Sequence, residues 1–219
     1  NTDIYTFFPL QNNEEDGIKV DTSMIRGGKY AANAPNQLVY NYSGRQLLSY
    51  NLTEDIYSVF DLTQSIWENQ KTPTADHDYW NSTVVFNPID SALISFGGYG
   101  HYLYNNELPL HENKQPERKH LSDIDPRYSA SSVIVDKELY IFGGRGSPTG
   151  RQELSPRNYY DLHSVNLTDK TVKRLWSLKE SPENGDFIPS ENMIYDRENQ
   201  CFYVFTSQSG GLLMKIDTM

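Results

Sequence analysis

The feature that most constrains the fold of this chain is a strand–turn–strand pattern that occurs four times. Each copy has a short apolar run ending in Asn or Asp, a turn, and a second apolar run. Short runs of β-branched and aromatic residues joined by Asn, Asp, Gly or Pro turns predict antiparallel hairpins. The second runs recur every 46 residues and then after 63, beginning at Leu47, Leu93, Leu139 and Phe202.

A further pair of strands follows the hairpin in the first and third copies. These pairs end near Trp67 and Trp176, and residues 213–218 begin the same pattern in the fourth copy. Units of four short strands, recurring at about 46–60 residues with no helical periodicity, are typical of a β-propeller. The prediction is an all-β chain in a single domain, 1–219, with repeats at 36–69, 82–123, 130–177 and 190–219.

Two of the repeats carry a Phe-Gly-Gly triplet, at Phe96-Gly97-Gly98 and Phe142-Gly143-Gly144. With an apolar run before its triplet and a strand ending near Trp176 after it, the third repeat resembles the kelch repeat, which also occurs in galactose-oxidase-like propellers. The resemblance implies a β-propeller of four-stranded antiparallel blades, about four of them in this chain. A glycine pair is expected where a Cβ atom would collide with a neighbour or force an unfavourable φ. A generic β-sandwich is the alternative.

The two ends of the chain leave two arrangements open. Residues 3–8 have the pattern of an outer strand that could complete the last repeat, closing a four-bladed ring by pairing 4–8 with 212–217. Alternatively, the chain is a section of a six- or seven-bladed propeller, the usual size for proteins that resemble kelch. The first residue, Asn1, fits a mature, a processed or an excised chain equally well.

Composition excludes several classes of protein. With 37% hydrophobic residues and a mean hydropathy of −0.66, the chain has no apolar run long enough to span a membrane. A net charge of −10 argues against binding to the phosphates of nucleic acids. A single Cys leaves no intrachain disulfide and no cysteine-based zinc site. We expect no cofactor, and a secreted or periplasmic location.

The lengths of the predicted connections differ between the two faces of such a fold. One face has short turns, for example at Lys137-Glu138 and Asp169-Lys170. The other face has long connections, predicted at 9–35, 69–81, 145–159 and 177–190. Loops longer than about 12 residues are uncommon unless they are functional or disordered, so the long-loop face is the predicted binding face.

The candidate binding residues are aromatic, His and Arg side chains predicted on the long-loop face, because aromatic and Arg side chains dominate binding hot spots. They are Tyr79, Trp80, Tyr99, His101, Tyr102, Arg145, Arg151, Arg157 and Tyr159. Packing between blades is the competing interpretation of the aromatic residues, and pairing with Glu153 or nearby Asp residues is that of the Arg residues. No metal site is predicted, since Asp76-His77-Asp78 fits a solvated polar loop better than a ligand set.

Two classes of function follow from these residues. The first is a non-enzymatic recognition propeller that presents its long-loop face to a protein, a peptide or a glycan, either alone or as the sensory ectodomain of a larger protein. The alternative is a carbohydrate-active or oxidase-like enzyme. That enzyme needs a carboxylate pair or a metal set that the sequence does not offer. Galactose oxidase activity is not transferred, because no matching copper ligand set is recognisable.

Overall fold

The computed structural model describes residues 3–8, 19–24, 36–41, 44, 46–51, 56–64, 66–71, 79–87, 92–110, 117–179, 182, 185–206 and 211–218. All regular secondary structure in these ranges is β-strand, with no helix, which confirms the predicted all-β class. Accordingly, the described part of the chain has no helix that could span a membrane. The chain divides into two compact units, residues 1–75 and 76–219.

The first unit contains six described strands. They are β1 (Asp3–Phe8), β2 (Lys19–Met24), β3 (Asn36–Asn41), β4 (Gln46–Asn51), β5 (Ile56–Asp61) and β6 (Ile66–Lys71). Strands β3 to β6 form one antiparallel sheet in chain order, as the first predicted repeat requires. Trp67 on β6 is buried and packs on Phe60 of β5, with ring centroids 5.2 Å apart. The predicted 9–35 connection contains β2, which pairs with β1.

The second unit contains twelve described strands. They are β7 (Thr83–Asn87), β8 (Ala92–Phe96), β9 (Glu107–Leu110), β10 (Glu117–His120), β11 (Arg127–Tyr128), β12 (Ser131–Val135), β13 (Glu138–Gly146), β14 (Arg157–Asn166), β15 (Val172–Ser177), β16 (Pro189–Asp196), β17 (Cys201–Thr206) and β18 (Leu213–Asp217). Strands β12 to β15 form a four-stranded antiparallel sheet in chain order, and β16 to β18 form a three-stranded one. A parallel bridge from Ser132 to Asn192 joins β12 to β16.

The sheet of β12 to β15 is buried on both faces because its central strand is apolar at consecutive positions. On β13, Leu139 and Ile141 join a cluster with Ile94 and Phe96 of β8. Phe142 joins a second cluster, which includes Phe202 of β17. Successive side chains of a strand point to opposite faces, so this run serves two cores. Strand β13 therefore contributes side chains to apolar clusters on both faces of its sheet.

The polarity of the strands gives the second unit two different ends. Strands β12, β14 and β16 begin at one end, where β13, β15 and β17 finish. Strand β7 begins at the same end, since the Thr83 and Ser132 hydroxyl oxygens lie 2.6 Å apart and Ser129 N donates to Asn81 O (2.9 Å). We call this the long-loop end, formed by residues 79–82, 97–106, 121–130 and 147–156. The opposite, short-turn end contains turns such as 136–137, 168–170 and 197–200.

The predicted connection from Arg145 to Tyr159 is shorter in the structure than in the prediction. Strand β13 continues to Gly146 and β14 begins at Arg157, so only residues 147–156 connect them. The two strands stay paired beyond an irregularity between Phe142 and Gly144, where the register shifts. Such a bulge bends the strands and lets pairing resume past the point where the apolar pattern ends.

Two sequence predictions about the whole chain stay predictions. One is the closing pair between residues 4–8 and 212–217; the structure pairs β1 with β2 and β18 with β17. The other is the single domain over 1–219. Cys201 opens β17 as a buried free cysteine.

Candidate functional site

The two glycine pairs give the long-loop end its close backbone packing. Gly97 and Gly98 have φ of 70° and 100°, and Gly143 and Gly144 have φ of 61° and 102°. A Cβ on Gly98 would lie 2.8 Å from the Tyr79 carbonyl oxygen, and a Cβ on Gly144 would lie 2.8 Å from that of Tyr128. Positive φ and this lack of space both favour glycine, as the sequence predicted.

A short hairpin, residues 99–104, projects from the long-loop end. Tyr99 pairs with Tyr104 across the hairpin and with Trp80 on its other side. Gly100 N donates to Leu103 O (2.9 Å), which closes a turn with His101 and Tyr102 at its tip. Both tip residues are exposed, and Tyr102 has 79% of its surface exposed.

The hairpin brings four of the candidate residues into one aromatic cluster. Trp80 lies edge-on to Tyr99 (centroids 5.8 Å apart) and to His101 (5.9 Å), and His101 lies 6.3 Å from Tyr102. The two contacts of Trp80 are edge-to-face, and the contact between His101 and Tyr102 is tilted. Half-buried Trp80 and Tyr99 therefore support a more exposed tip.

Two tyrosines that sequence reasoning missed extend this cluster. Tyr128 packs edge-on to Tyr99 (5.0 Å) and stacks on Tyr104 (5.5 Å). Burial, followed by the nearby Tyr104, raises the pKa of Tyr128, so its hydroxyl is protonated at neutral pH. The aromatic spacing 99, 102, 104 was visible in the sequence, but the contact with Tyr128 depends on β11 lying beside β13.

The candidate arginines have different surroundings. Arg145 lies on β13 and donates to Asn158 Oδ1 (3.0 Å). Arg157 lies on β14, forms an exposed ion pair with Asp125 (3.2 Å), and places its guanidinium 5.0 Å from the centroid of Tyr159. Arg151 lies in the 147–156 connection, is exposed, and pairs through its backbone with Leu103. The alternative that Asp residues neutralise the arginines therefore applies to Arg157.

A buried ion pair lies beneath this surface. Arg127 is 1% exposed and donates two hydrogen bonds to Asp161, Nη1 to Oδ1 (2.5 Å) and Nη2 to Oδ2 (3.1 Å). The same guanidinium donates to the Gly143 and Asp125 carbonyls and lies 4.0 Å from the centroid of Tyr159. Tyr159 is buried, and this burial, together with the Asp125 carboxylate, raises its pKa to about 12. Tyr159 is therefore a packing residue beneath the surface rather than an exposed contact.

His163 extends the buried polar group along β14. Its Nδ1 lies 3.9 Å from Asp161 Oδ2, and the side chain is 3% exposed. Burial lowers the pKa of His163 to about 4; the Asp161 carboxylate opposes this shift, and the Arg127 and Arg174 guanidinium groups add to it. The imidazole is therefore neutral at pH 7.

Tyr79, the remaining candidate, contacts residues of β9 and β10. Its hydroxyl donates to Glu107 Oε2, and the Arg118 guanidinium lies 3.5 Å from the centroid of its ring. Among the described residues, no three His, Cys, Asp or Glu side chains group as metal ligands. Residues 76–78, which contain His77, lie outside the described ranges.

Comparisons with known proteins add little to these observations. No protein-family model matches the chain, and no curated protein matches it. One solved structure that resembles the chain is described as "Structure of YjhT". The two share 13% sequence identity with a TM-score of 0.46, over 74% of this chain and 48% of that one. The chain thus spans about half the length of that protein, and the match bears on no functional assignment.

Proposed function

We propose that this protein is a non-enzymatic recognition module that binds a protein, a peptide or a glycan at the long-loop end of residues 76–219. The observation that carries the proposal is the concentration of one class of side chain at that end. Trp80, Tyr99, His101 and Tyr102 form one aromatic cluster, and Arg151 adjoins it through the backbone pair with Leu103. Aromatic and Arg side chains dominate the energetics of interfaces because they combine large contact area with forked donors.

We further propose that the sheets are consecutive blades of a kelch-like β-propeller. The support is the chain-order pairing of β3 to β6 and of β12 to β15, and the presence of apolar clusters on both faces of β12 to β15. Strand β12 lies beside both β7 and β16, as neighbouring innermost strands of a propeller do. In such a fold the long-loop end is one face of the ring, where recognition loops from several blades converge.

The experiment is a screen of peptide and glycan arrays with wild-type protein and two matched triple variants. Arg145→Ala/Arg151→Ala/Arg157→Ala removes three positive charges from the long-loop end. Lys137→Ala/Lys173→Ala/Arg197→Ala removes three from exposed positions at the short-turn end. We expect the first triple variant to lose at least about tenfold in affinity for any ligand found, and the second to bind like wild type.

The two triple variants also define which results would contradict the proposal. Equal loss in both variants would indicate a general electrostatic effect of the altered net charge. Binding that is kept in the long-loop variant and lost in the short-turn variant would place recognition at the short-turn end. Either result would contradict the proposal, provided that the thermal unfolding midpoints of the three proteins agree.

A further inference from the structure

We propose that the tip of the 99–104 hairpin and the adjoining 150–154 turn dock a polypeptide segment in which an acidic side chain neighbours an apolar one. We call this surface the hairpin patch and define it as His101, Tyr102, Leu103, Arg151 and Leu154. The inference rests on the proposed function and narrows it to one ligand class. It also assigns separate roles to the arginines of the long-loop end.

The backbone pairing places an apolar and a cationic side chain next to each other. Tyr104 N donates to Gly150 O (2.7 Å), and Gln152 N donates to Tyr102 O (3.2 Å). These two hydrogen bonds flank Leu103 and Arg151, which therefore form a non-hydrogen-bonded antiparallel pair. In such a pair the Cα atoms approach to about 4.5 Å and the two side chains leave the same face.

Three apolar side chains of the hairpin patch are exposed to solvent. Tyr102 is 79% exposed, Leu103 is 52% exposed and Leu154 is 43% exposed. Single exposed apolar side chains are ordinary, but here the backbone joins three of them, since Leu154 N also donates to Arg151 O (3.2 Å). A rigid tyrosine beside leucine side chains is a suitable anchor for a partner's apolar group.

Of the three candidate arginines, Arg151 is the one whose guanidinium has no side-chain partner among the described residues. Arg157 pairs with Asp125, and Arg145 donates to Asn158. An exposed guanidinium offers forked donors that match a carboxylate. Because the chain carries a net charge of −10, attraction of an acidic partner has to be local. Arg151 provides that attraction beside Leu103.

The aliphatic component favours a polypeptide over a glycan. Sugars are bound through flat aromatic faces and dense polar contacts, and Leu103 and Leu154 provide neither. Leucine side chains match the apolar side chains of a peptide, which gain from losing water contact. A segment with a carboxylate one or two residues from an apolar side chain fits both parts of the patch.

The patch is held in place before any ligand arrives. Gln152 Nε2 donates to Gly100 O (2.7 Å), which ties the turn to the hairpin. Ser147 Oγ donates to Leu154 O (2.6 Å), which fixes the end of the turn. Preorganisation of this kind lowers the entropy lost on binding.

The test uses the full chain and an array of nine-residue peptides in which Glu or Asp neighbours Leu or Phe. Matched peptides carry Lys for the acidic residue or Ser for the apolar one, and a glycan array is run in parallel. We expect acidic–apolar peptides to bind best, and both Arg151→Glu and Leu103→Ser to weaken them at least about tenfold. Arg151→Glu should also gain affinity for the Lys-containing peptides. Lys137→Glu, an equal charge reversal at the short-turn end, should leave binding unchanged.

Two outcomes would overturn the inference while keeping the proposed function. One is binding of glycans alone that is lost in Trp80→Ala or in the triple arginine variant. The other is peptide binding that Trp80→Ala weakens and that Arg151→Glu and Leu103→Ser do not. Binding unaffected by every long-loop variant would reject both proposals. Because Leu103 and Arg151 are both exposed, we expect Leu103→Ser and Arg151→Glu to have the thermal unfolding midpoint of the wild type.

Discussion

At the scale of single residues, Arg127 connects β13 and β14 to the 97–106 segment of the long-loop end. Its side chain reaches Asp161 on β14, the Gly143 carbonyl in the bulge of β13 and the Asp125 carbonyl before β11. Its backbone accepts from Gly98 N (2.8 Å) and donates to Asn105 O (2.9 Å). A buried charge without its partner is strongly destabilising, so Arg127 and Asp161 depend on each other. Arg127 lies in a polar stretch of the sequence, and nothing in that stretch predicted that its side chain would be buried.

His163 makes stability depend on pH. The folded-state pKa is about 4, and the unfolded chain protonates near pH 6.5. Between these values the unfolded state binds more protons, so acidification destabilises the fold by about 2 kcal/mol from pH 7 to pH 5. This contribution is fully present above pH 6.5 and is lost as the pH falls toward 4. Urea unfolding at several pH values measures it.

Substitutions separate His163 from the other titrating groups. His163→Gln is expected to remove this part of the pH dependence, whatever its effect on stability at pH 7. His101→Gln, at an exposed position of the hairpin tip, is the control for removing a histidine at a different position. An unchanged slope in His163→Gln would mean that another group controls acid sensitivity.

At the scale of elements, the hairpins were predictable from the sequence because alternation and turn residues are local signals. Their ends were not: the apolar pattern stops at the Phe142 triplet, yet β13 runs on to Gly146 by pairing with β14. The candidate site likewise contains some features that depend on local sequence and others that depend on long-range packing. The structure brings Trp80, Tyr99, His101 and Tyr102 into one cluster, while the burial of Tyr159 depends on long-range packing with Arg127. Sequence alone shows residue types and spacing, and not which of two faces a later segment covers.

Gly144 tests how the bulge of β13 supports the long-loop end. In Gly144→Ala the φ of 102° would be strained, and the new Cβ would lie 2.8 Å from Tyr128 O and 3.1 Å from Ala130 Cα. Gly185→Ala is the matched control, because Gly185 has φ of 91° but nothing within 4 Å of its Cβ. Strain alone costs on the order of 1–2 kcal/mol, so we expect that loss at Gly185 and about 3 kcal/mol or more at Gly144. Equal losses by chemical denaturation would show that the backbone contact contributes nothing.

At the scale of the whole molecule, the division into residues 1–75 and 76–219 makes a prediction about folding. Both large apolar clusters of the described residues draw their members from positions 85 to 216. A fragment of residues 76–219 therefore contains every described member of both clusters, and we expect it to unfold in one cooperative transition. The sequence-based alternative, closure of a ring through residues 4–8, makes the opposite prediction. If strand 3–8 normally covers β18, the fragment exposes a sheet edge and aggregates.

An exposed apolar face on strands β16 to β18 gives the fragment a second possible cause of aggregation. Ile194, Phe205 and Leu213 are 60%, 53% and 56% exposed on strands β16, β17 and β18. Such a face could cause association of the fragment for reasons unrelated to the edge of β18. A second fragment with Ile194→Thr and Phe205→Thr separates the two causes, because it lowers the apolar area and leaves the edge unchanged. If either form of the fragment is soluble and unfolds cooperatively, the result supports the division into two folding units. If both forms are insoluble and adding residues 1–75 restores solubility, the result favours ring closure.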